Sequence, residues 1–174
     1  MNDIIRRMEK SDVNEVVELE ELSYGQHHWS KESFLNELDN NLAHYYCAVD
    51  KSGKIIGYIG CWHIFEEAHI TTLSVHPDFR KQGVAQELLF AAIDDCYKAK
   101  IKYITLEVRQ SNVAAISLYD KNGFKSIGTR KGYYQDNNED ALIMFTENIW
   151  YEKFKTLYNK LKQEREQKRE HKTP

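Results

Sequence analysis

Apolar residues recur along this chain with two periods, and the switches between them mark its elements. The opening "IIRRM" predicts a short strand, and "SDVNEVVELEEL" behind it carries Val13, Val16, Val17 and Leu19 at helical spacing, with Ser11 as the expected cap. That helix is expected to close near Leu22. After the aromatic loop "SYGQHHW", "SKESFLNELDNN" opens on Ser30, has Ser33 where a capping box prefers a carboxylate, and stops at an Asn pair. A second, shorter helix follows from that pattern.

From Ala43 the period shortens to that of strands. "AHYYCAVD" and "KIIGYIGCWHIF" are joined by the turn "KSG", and Gly57 and Gly60 interrupt a run otherwise β-branched and aromatic. "AHITTLSVHP" adds a third strand, closed by Pro77, which has no N–H to donate to a ladder. Helical spacing returns in "QELLFAAIDDCYKAKI", where Leu88, Leu89, Ala92, Ile93 and Cys96 or Tyr97 share a stripe. The strand "KYITLEVR" comes next, then a helix capped by Ser111 or Asn112 and ended by Asn122-Gly123. "FKSIGTRKGYY" and "EDALIMFTEN", joined by "QDNN", read as an antiparallel hairpin.

Beyond Asn148 the texture changes. Trp150, Phe154, Leu157, Tyr158 and Leu161 form an amphipathic helical pattern that dissolves into charge, with eight Lys or Arg against four Glu over residues 150–174. The chain is therefore expected to divide into a domain over residues 1–147 and a basic helical extension over 148–174, frayed at its end. The apolar stripe of that extension has to be covered, most simply by its own domain.

Composition narrows the class. At 174 residues and 41% hydrophobic content, one sizeable core is expected, and a net charge of −3 argues against wholesale nucleic-acid binding, DNA included. Cys47, Cys61 and Cys96 are too scattered for a disulfide framework, which suits a reducing compartment. His27 and His28 are adjacent and the remaining histidines lack ligand spacing, so no metal is expected. The opening lacks a signal-peptide run, and no apolar stretch is long enough to span a bilayer. A soluble cytoplasmic protein without a membrane partner is the expectation.

Candidate chemistry centres on "HPDFRKQGVAQELL". A strand, a glycine-bearing loop and a helix start in succession make an anion cradle, because the first N–H groups of a helix lack internal partners and its dipole favours negative charge. Gly83 lets the backbone approach a ligand, Ala85 is the next smallest residue, and Arg80 and Lys81 add attraction. Phosphate is the expected guest, although a glycine that merely shapes a helix entry would look the same.

Arg-x-x-Gly-x-Ala at residues 80–85 resembles the pyrophosphate loop of the GNAT superfamily of acyl-CoA-dependent N-acyltransferases. Ala85 stands where glycine is commoner, which that pattern allows. "EEAHITTLSVHPDFRKQGVAQELL", "ITLEVRQSNVAAISLYDKNGF", "GYYQDNNEDALIM" and "HHWSKESF" resemble, in order, blocks of the bacterial ribosomal-protein N-terminal alanine acetyltransferase (RimI) family, covering roughly residues 1–147.

The resemblance implies an α/β fold of the GNAT type: a mixed, mostly antiparallel sheet splayed between its fourth and fifth strands, with flanking helices; the C-terminal amphipathic helix read from the apolar pattern lies beyond it. Acetyl-CoA is the implied cosubstrate. Its pantetheine arm would pair with the backbone of Leu73, Ser74 and Val75, and its pyrophosphate with the amides of Gln82, Gly83, Val84 and Ala85. Glu107 matches the general base, acting through water, and Tyr119 the general acid that returns a proton to the departing thiolate. The plainer alternatives are a strand carboxylate paired with Arg109 and a tyrosine packed on the sheet. Asn112 would cap its helix and touch the cofactor. Trp29, Tyr133 and Tyr134 fall on the substrate side, where adjacent strand positions allow at most one of the two tyrosines to face the site. Glu139 and Asp140 belong to the same hairpin signature.

The implied reaction is acetyl transfer to a protein N-terminal amine, of a ribosomal protein beginning with alanine or another small residue. A lysine side chain, or a small amine such as a polyamine, is the alternative acceptor. A CoA-sensing or ribosome-associated module without catalysis is the alternative from another class. The basic C-terminal end is the expected ribosome contact under either, and oligomeric state stays open.

Overall fold

The computed structural model describes residues 4–25 and 28–171, so His27 lies outside it. β1 (Ile4–Arg7), β2 (Ala43–Val49), β3 (Ile55–Ile64) and β4 (Glu67–Val75) form an antiparallel meander. β5 (Tyr103–Arg109) joins β4 in parallel, while β6 (Phe124–Tyr134) and β7 (Glu139–Thr146) make the hairpin. β7 inserts between β5 and β6, giving a seven-stranded sheet of order β1-β2-β3-β4-β5-β7-β6. The mixed, largely antiparallel sheet expected from the sequence is thus present, and among the described residues its single parallel contact is the one between β4 and β5.

Helices cover both faces. α1 (Val13–Tyr24) and α2 (Lys31–Leu38) close a core built on Val13, Val16, Leu19, Phe34, Tyr45 and Tyr58. α3 (Val84–Lys98), α4 (Val113–Lys121) and α5 (Glu152–Glu170) share the other, larger core, to which α3 alone brings Leu88, Leu89, Phe90, Ala92, Ile93 and Cys96. α5 seals it with Phe154, Tyr158 and Leu161, each at most 6% exposed, and the Tyr158 hydroxyl donates to Asp94 of α3 at 2.7 Å. The apolar stripe read beyond residue 148 is therefore covered by its own chain.

Several local expectations change in detail. Ser11 does not cap α1. A 3-10 turn at Lys10–Asp12 leads into the helix instead, and the Asp12 carboxylate accepts from the Glu9 N–H at 2.8 Å and from the Arg6 guanidinium at 2.7 and 2.8 Å. A charged acceptor locked by an arginine on β1 outcompetes a serine hydroxyl at that end. α1 also runs past Leu22 to Tyr24, where Gly25 stops it at φ 58°. Trp150 precedes α5 and is 41% exposed, its indole N–H donating to the Ile101 carbonyl at 2.8 Å. Ser30 does cap α2, accepting from the Ser33 N–H at 3.1 Å, and Asn112, not Ser111, caps α4.

Candidate active site

β4 and β5 pair only from Glu67 opposite Tyr103 to Ile70 opposite Leu106. Beyond that point each keeps its outer neighbour: Thr72 to Val75 stay on β3, and Glu107 to Arg109 stay on β7. The separation coincides with a bulge, where Gly60 and Cys61 of β3 face Thr72 and Ile70 and leave Thr71 as the extra residue. Bulges bend a strand and sharpen its twist, which here carries the end of β4 away from β5. A cleft of about 330 Å³ opens in the wedge.

Glu107 lies at its floor. Leu106 and Val108 point into the core, so the intervening carboxylate takes the opposite face, where its side chain is 9% exposed. One oxygen is 2.5 Å from His69 Nε2 on β4 and the other 3.3 Å from the Arg130 guanidinium on β6. The partner considered from sequence, Arg109, is engaged elsewhere. It pairs with Asp136 at 2.8 Å and Glu139 at 3.3 Å, and its guanidinium lies 3.9 Å from the centre of the Tyr134 ring.

Tyr119 reaches the same cleft from α4, 6% exposed and 5.5 Å ring to ring from Phe124. Burial pushes its hydroxyl above the ordinary tyrosine range, so it stays protonated and able to donate near neutral pH. Asn112 lines the cleft while its side chain accepts from the Ala115 N–H at 3.1 Å, so capping and lining coexist. Trp29 and Tyr134 also line the cleft. Burial pushes the Tyr134 hydroxyl up to about 12, against the opposing pull of Arg109. Tyr133 instead is 43% exposed and sits 5.6 Å below the Arg130 guanidinium, so only one of the adjacent tyrosines lines the site.

Glu139 ties the hairpin to the turn after β5, accepting from the Ser111 N–H at 2.8 Å, and Asp140 closes the hairpin itself, accepting from the Gly132 N–H at 2.9 Å.

From Leu73, Ala115 and Tyr119 the cleft continues into a groove of about 370 Å³ that runs past Val75 to Arg80, Lys81, Gly83, Val84 and Ala85. Residues 71–75 form an edge without a partner strand from β5 on this side, as an added extended chain would require. The Ser74 side chain turns from the groove to bond Ser23 Oγ at 2.8 Å, and the Val75 carbonyl accepts from Arg80 Nε at 3.1 Å. Gly83 begins α3 at φ 91°, a conformation that L side chains rarely adopt. The space beside its Cα is filled by Arg165 of α5, 2.4 Å from where a Cβ would stand. Gln82 carries its side chain back to the Asp78 carbonyl at 2.9 Å.

Sequence reading passed over His69, Arg130, Glu20 and Tyr24. Glu20 also lines the cleft, only 4% exposed, and accepts from the Tyr58 hydroxyl; burial raises its carboxyl. A signal existed for it: Val13, Val16, Val17, Glu20 and Tyr24 continue one helical stripe, so a carboxylate occupies an apolar-face position. His69 and Arg130 carry no comparable mark, since strand pairing alone brings them to Glu107. Between β3 and the C-terminal half of α3, Cys61, His63 and Cys96 place donor atoms within 4.8 Å of one another, a proximity that their sequence spacing does not reveal.

The splayed parallel pair, the glycine loop and the carboxylate–phenol cleft together define an acyl-CoA-dependent acyltransferase. Residues 11–124 match the acetyltransferase (GNAT) family, and the chain belongs to that family. It is similar to the putative ribosomal protein bS18-alanine N-acetyltransferase of Bacillus subtilis, 38% identical over 141 residues, covering 81% of this chain and 93% of that protein. The corresponding Escherichia coli K12 enzyme is 33% identical over 118 residues, 67% and 78% of the two chains. A crystal structure of the E. coli ribosomal-protein-S18-alanine N-acetyltransferase superposes with a TM-score of 0.76 at 29% identity, covering 84% of this chain and 94% of that one.

Proposed function

We propose that this N-acetyltransferase acts on the N-terminal amine of a ribosomal protein beginning with alanine or another small residue. The observation that carries the reading is the placement of Glu107 and Tyr119 on one cleft, the carboxylate bonded to His69 and the phenol buried and protonated. Acetyl-CoA supplies the activated acetyl group. The chain must then take a proton from the attacking amine and provide one to the leaving thiolate, which are the roles given to Glu107 and Tyr119.

An α-amino group, with a pKa of about 7.7–8.0, loses its proton far more readily than a lysine at about 10.4, so a single carboxylate acting through water suffices. The aromatic lining of Trp29 and Tyr134 suits a short uncharged first side chain followed by peptide backbone. The relatives named as ribosomal-protein alanine acetyltransferases support the same acceptor.

The test is a panel of peptides differing at residue one, with Nα-blocked lysine peptides as counterparts, incubated with acetyl-CoA and followed by CoA thiol release and peptide mass. Acetylation confined to free N-termini and strongest for alanine is the expected result. Modification of the blocked lysine peptides overturns it.

A further inference from the structure

The groove that begins at Glu107 does not end at the glycine loop. At Lys81, Gly83 and Gln86 it meets a larger pocket of about 710 Å³, whose opposite wall is the last three turns of α5. That helix lies outside residues 11–124, the span matched by the family. Its placement is firm: Arg165 donates to Glu87 of α3 at 2.7 Å and to the Gln82 carbonyl at 2.9 Å, and Arg169 adds a second cation 3.5 Å from Glu87.

The pocket is basic. Lys81, Lys121, Arg165 and Lys168 line it, against Glu164 alone among carboxylates. Among the described residues no carboxylate comes within 4.0 Å of the exposed Lys81, Lys121 or Lys168, whereas Arg165 beside them is paired with Glu87. Cations gathered around a concavity without counter-charges repel one another, and an anion bound there removes that repulsion. The order of the connected spaces also matters. It runs from the acid–base pair, along the unpaired edge of β4, over the glycine loop to this pocket. Coenzyme A has the same order of groups: thioester, pantetheine, pyrophosphate, then an adenosine phosphorylated on its 3′-oxygen.

We propose that α5 is a working wall of the cofactor site, and that Lys121, Arg165 and Lys168 bind the 3′-phosphate of the nucleoside end. This rests on acetyl-CoA being the acyl donor. The C-terminal helix is then a specificity element that separates CoA from its 3′-dephospho form, and Gly83 serves two partners, leaving room for Arg165 on one side and a pyrophosphate on the other.

The test is equilibrium binding of CoA and of 3′-dephospho-CoA, by calorimetry, to the full-length protein and to a Lys121→Ala/Lys168→Ala double variant. These two lysines are chosen because neither bonds α3, so the fold is kept. Arg165→Gln serves as a second probe, with circular dichroism to verify its folding. The wild type should prefer CoA by about tenfold or more, as a charge-assisted contact to phosphate implies. The double variant should lose most of that preference by weakening CoA while leaving dephospho-CoA unchanged. Equal affinity of the wild type for both ligands, or an equal weakening of both in the variant, overturns the proposal. Failure of either ligand to bind any form would overturn the acetyl-CoA reading itself, and the two failures are thereby distinct.

Discussion

His69 Nε2 stands 2.5 Å from a carboxylate oxygen of Glu107, across the point where β4 and β5 cease to pair. The histidine is a third exposed and the carboxylate is 9% exposed, so the ring links a nearly buried carboxylate to solvent. Glu107→Gln keeps the shape and removes the carboxylate proposed as base, and kcat should fall about 10²-fold or more while the Kd for CoA stays within about twofold. His69→Gln should give a smaller fall, also in kcat. Steady-state kinetics beside calorimetry separates the two effects, and an unchanged kcat in Glu107→Gln would remove it from the mechanism.

Tyr119→Phe deletes only a hydroxyl, and the ring packing on Phe124 should persist. The expected outcome is a loss of kcat of about 10²-fold with an unaltered melting temperature. A variant that melts early would instead mean that the hydroxyl serves the fold.

Tyr134 is held under the Arg109 guanidinium at 3.9 Å, and Arg109 is fixed in turn by Asp136 and Glu139. Tyr134→Ala should raise KM for the acceptor peptide several-fold and leave KM for acetyl-CoA unchanged. Tyr133→Ala, on the exposed side, should change neither, and equal effects of the two would contradict the assignment of Tyr134 to the cleft.

Asp95 ties α3 to β1 and β2, with His44 Nδ1 at 2.7 Å and Arg7 at 3.3 Å. Burial works to raise its carboxyl, but His44, Tyr46 and Arg7 outweigh it and hold the value at about 2. The unfolded chain titrates this group near 3.9, so its contribution is present above about pH 4 and is lost as the pH falls through about 2, on the order of 2 kcal/mol in all. Acid unfolding of the wild type against Asp95→Asn should show a steeper loss between those pH values in the wild type. Parallel curves would refute the linkage.

Phe154, 2% exposed on α5, lies against Gly123 and near Tyr158. Phe154→Ala should cost about 3–5 kcal/mol of unfolding free energy in urea titrations. Deleting residues 148–174 should do worse, because it uncovers the face of α3 that α5 seals. Full stability of the truncated chain would mark α5 as a separate appendage.

Most of the fold was legible before any coordinates, because periods of two and 3.6 are written residue by residue. The strands over 43–75, the helices after Gly83 and Asn112, and the hairpin through "QDNN" all stand where the pattern put them. The glycine loop, Glu107 and Tyr119 were legible through their motifs, since each depends on neighbours within a few positions. What pairs with what was not. The shift of Glu107 from Arg109 to His69 and Arg130 comes from β4 and β6 flanking β5 and β7, and that order is decided by which apolar faces can be buried together. The same reason keeps Arg165 out of reach of any local reading. It is brought to Gly83 across 82 positions only because Phe154, Tyr158 and Leu161 are driven into the core beside α3.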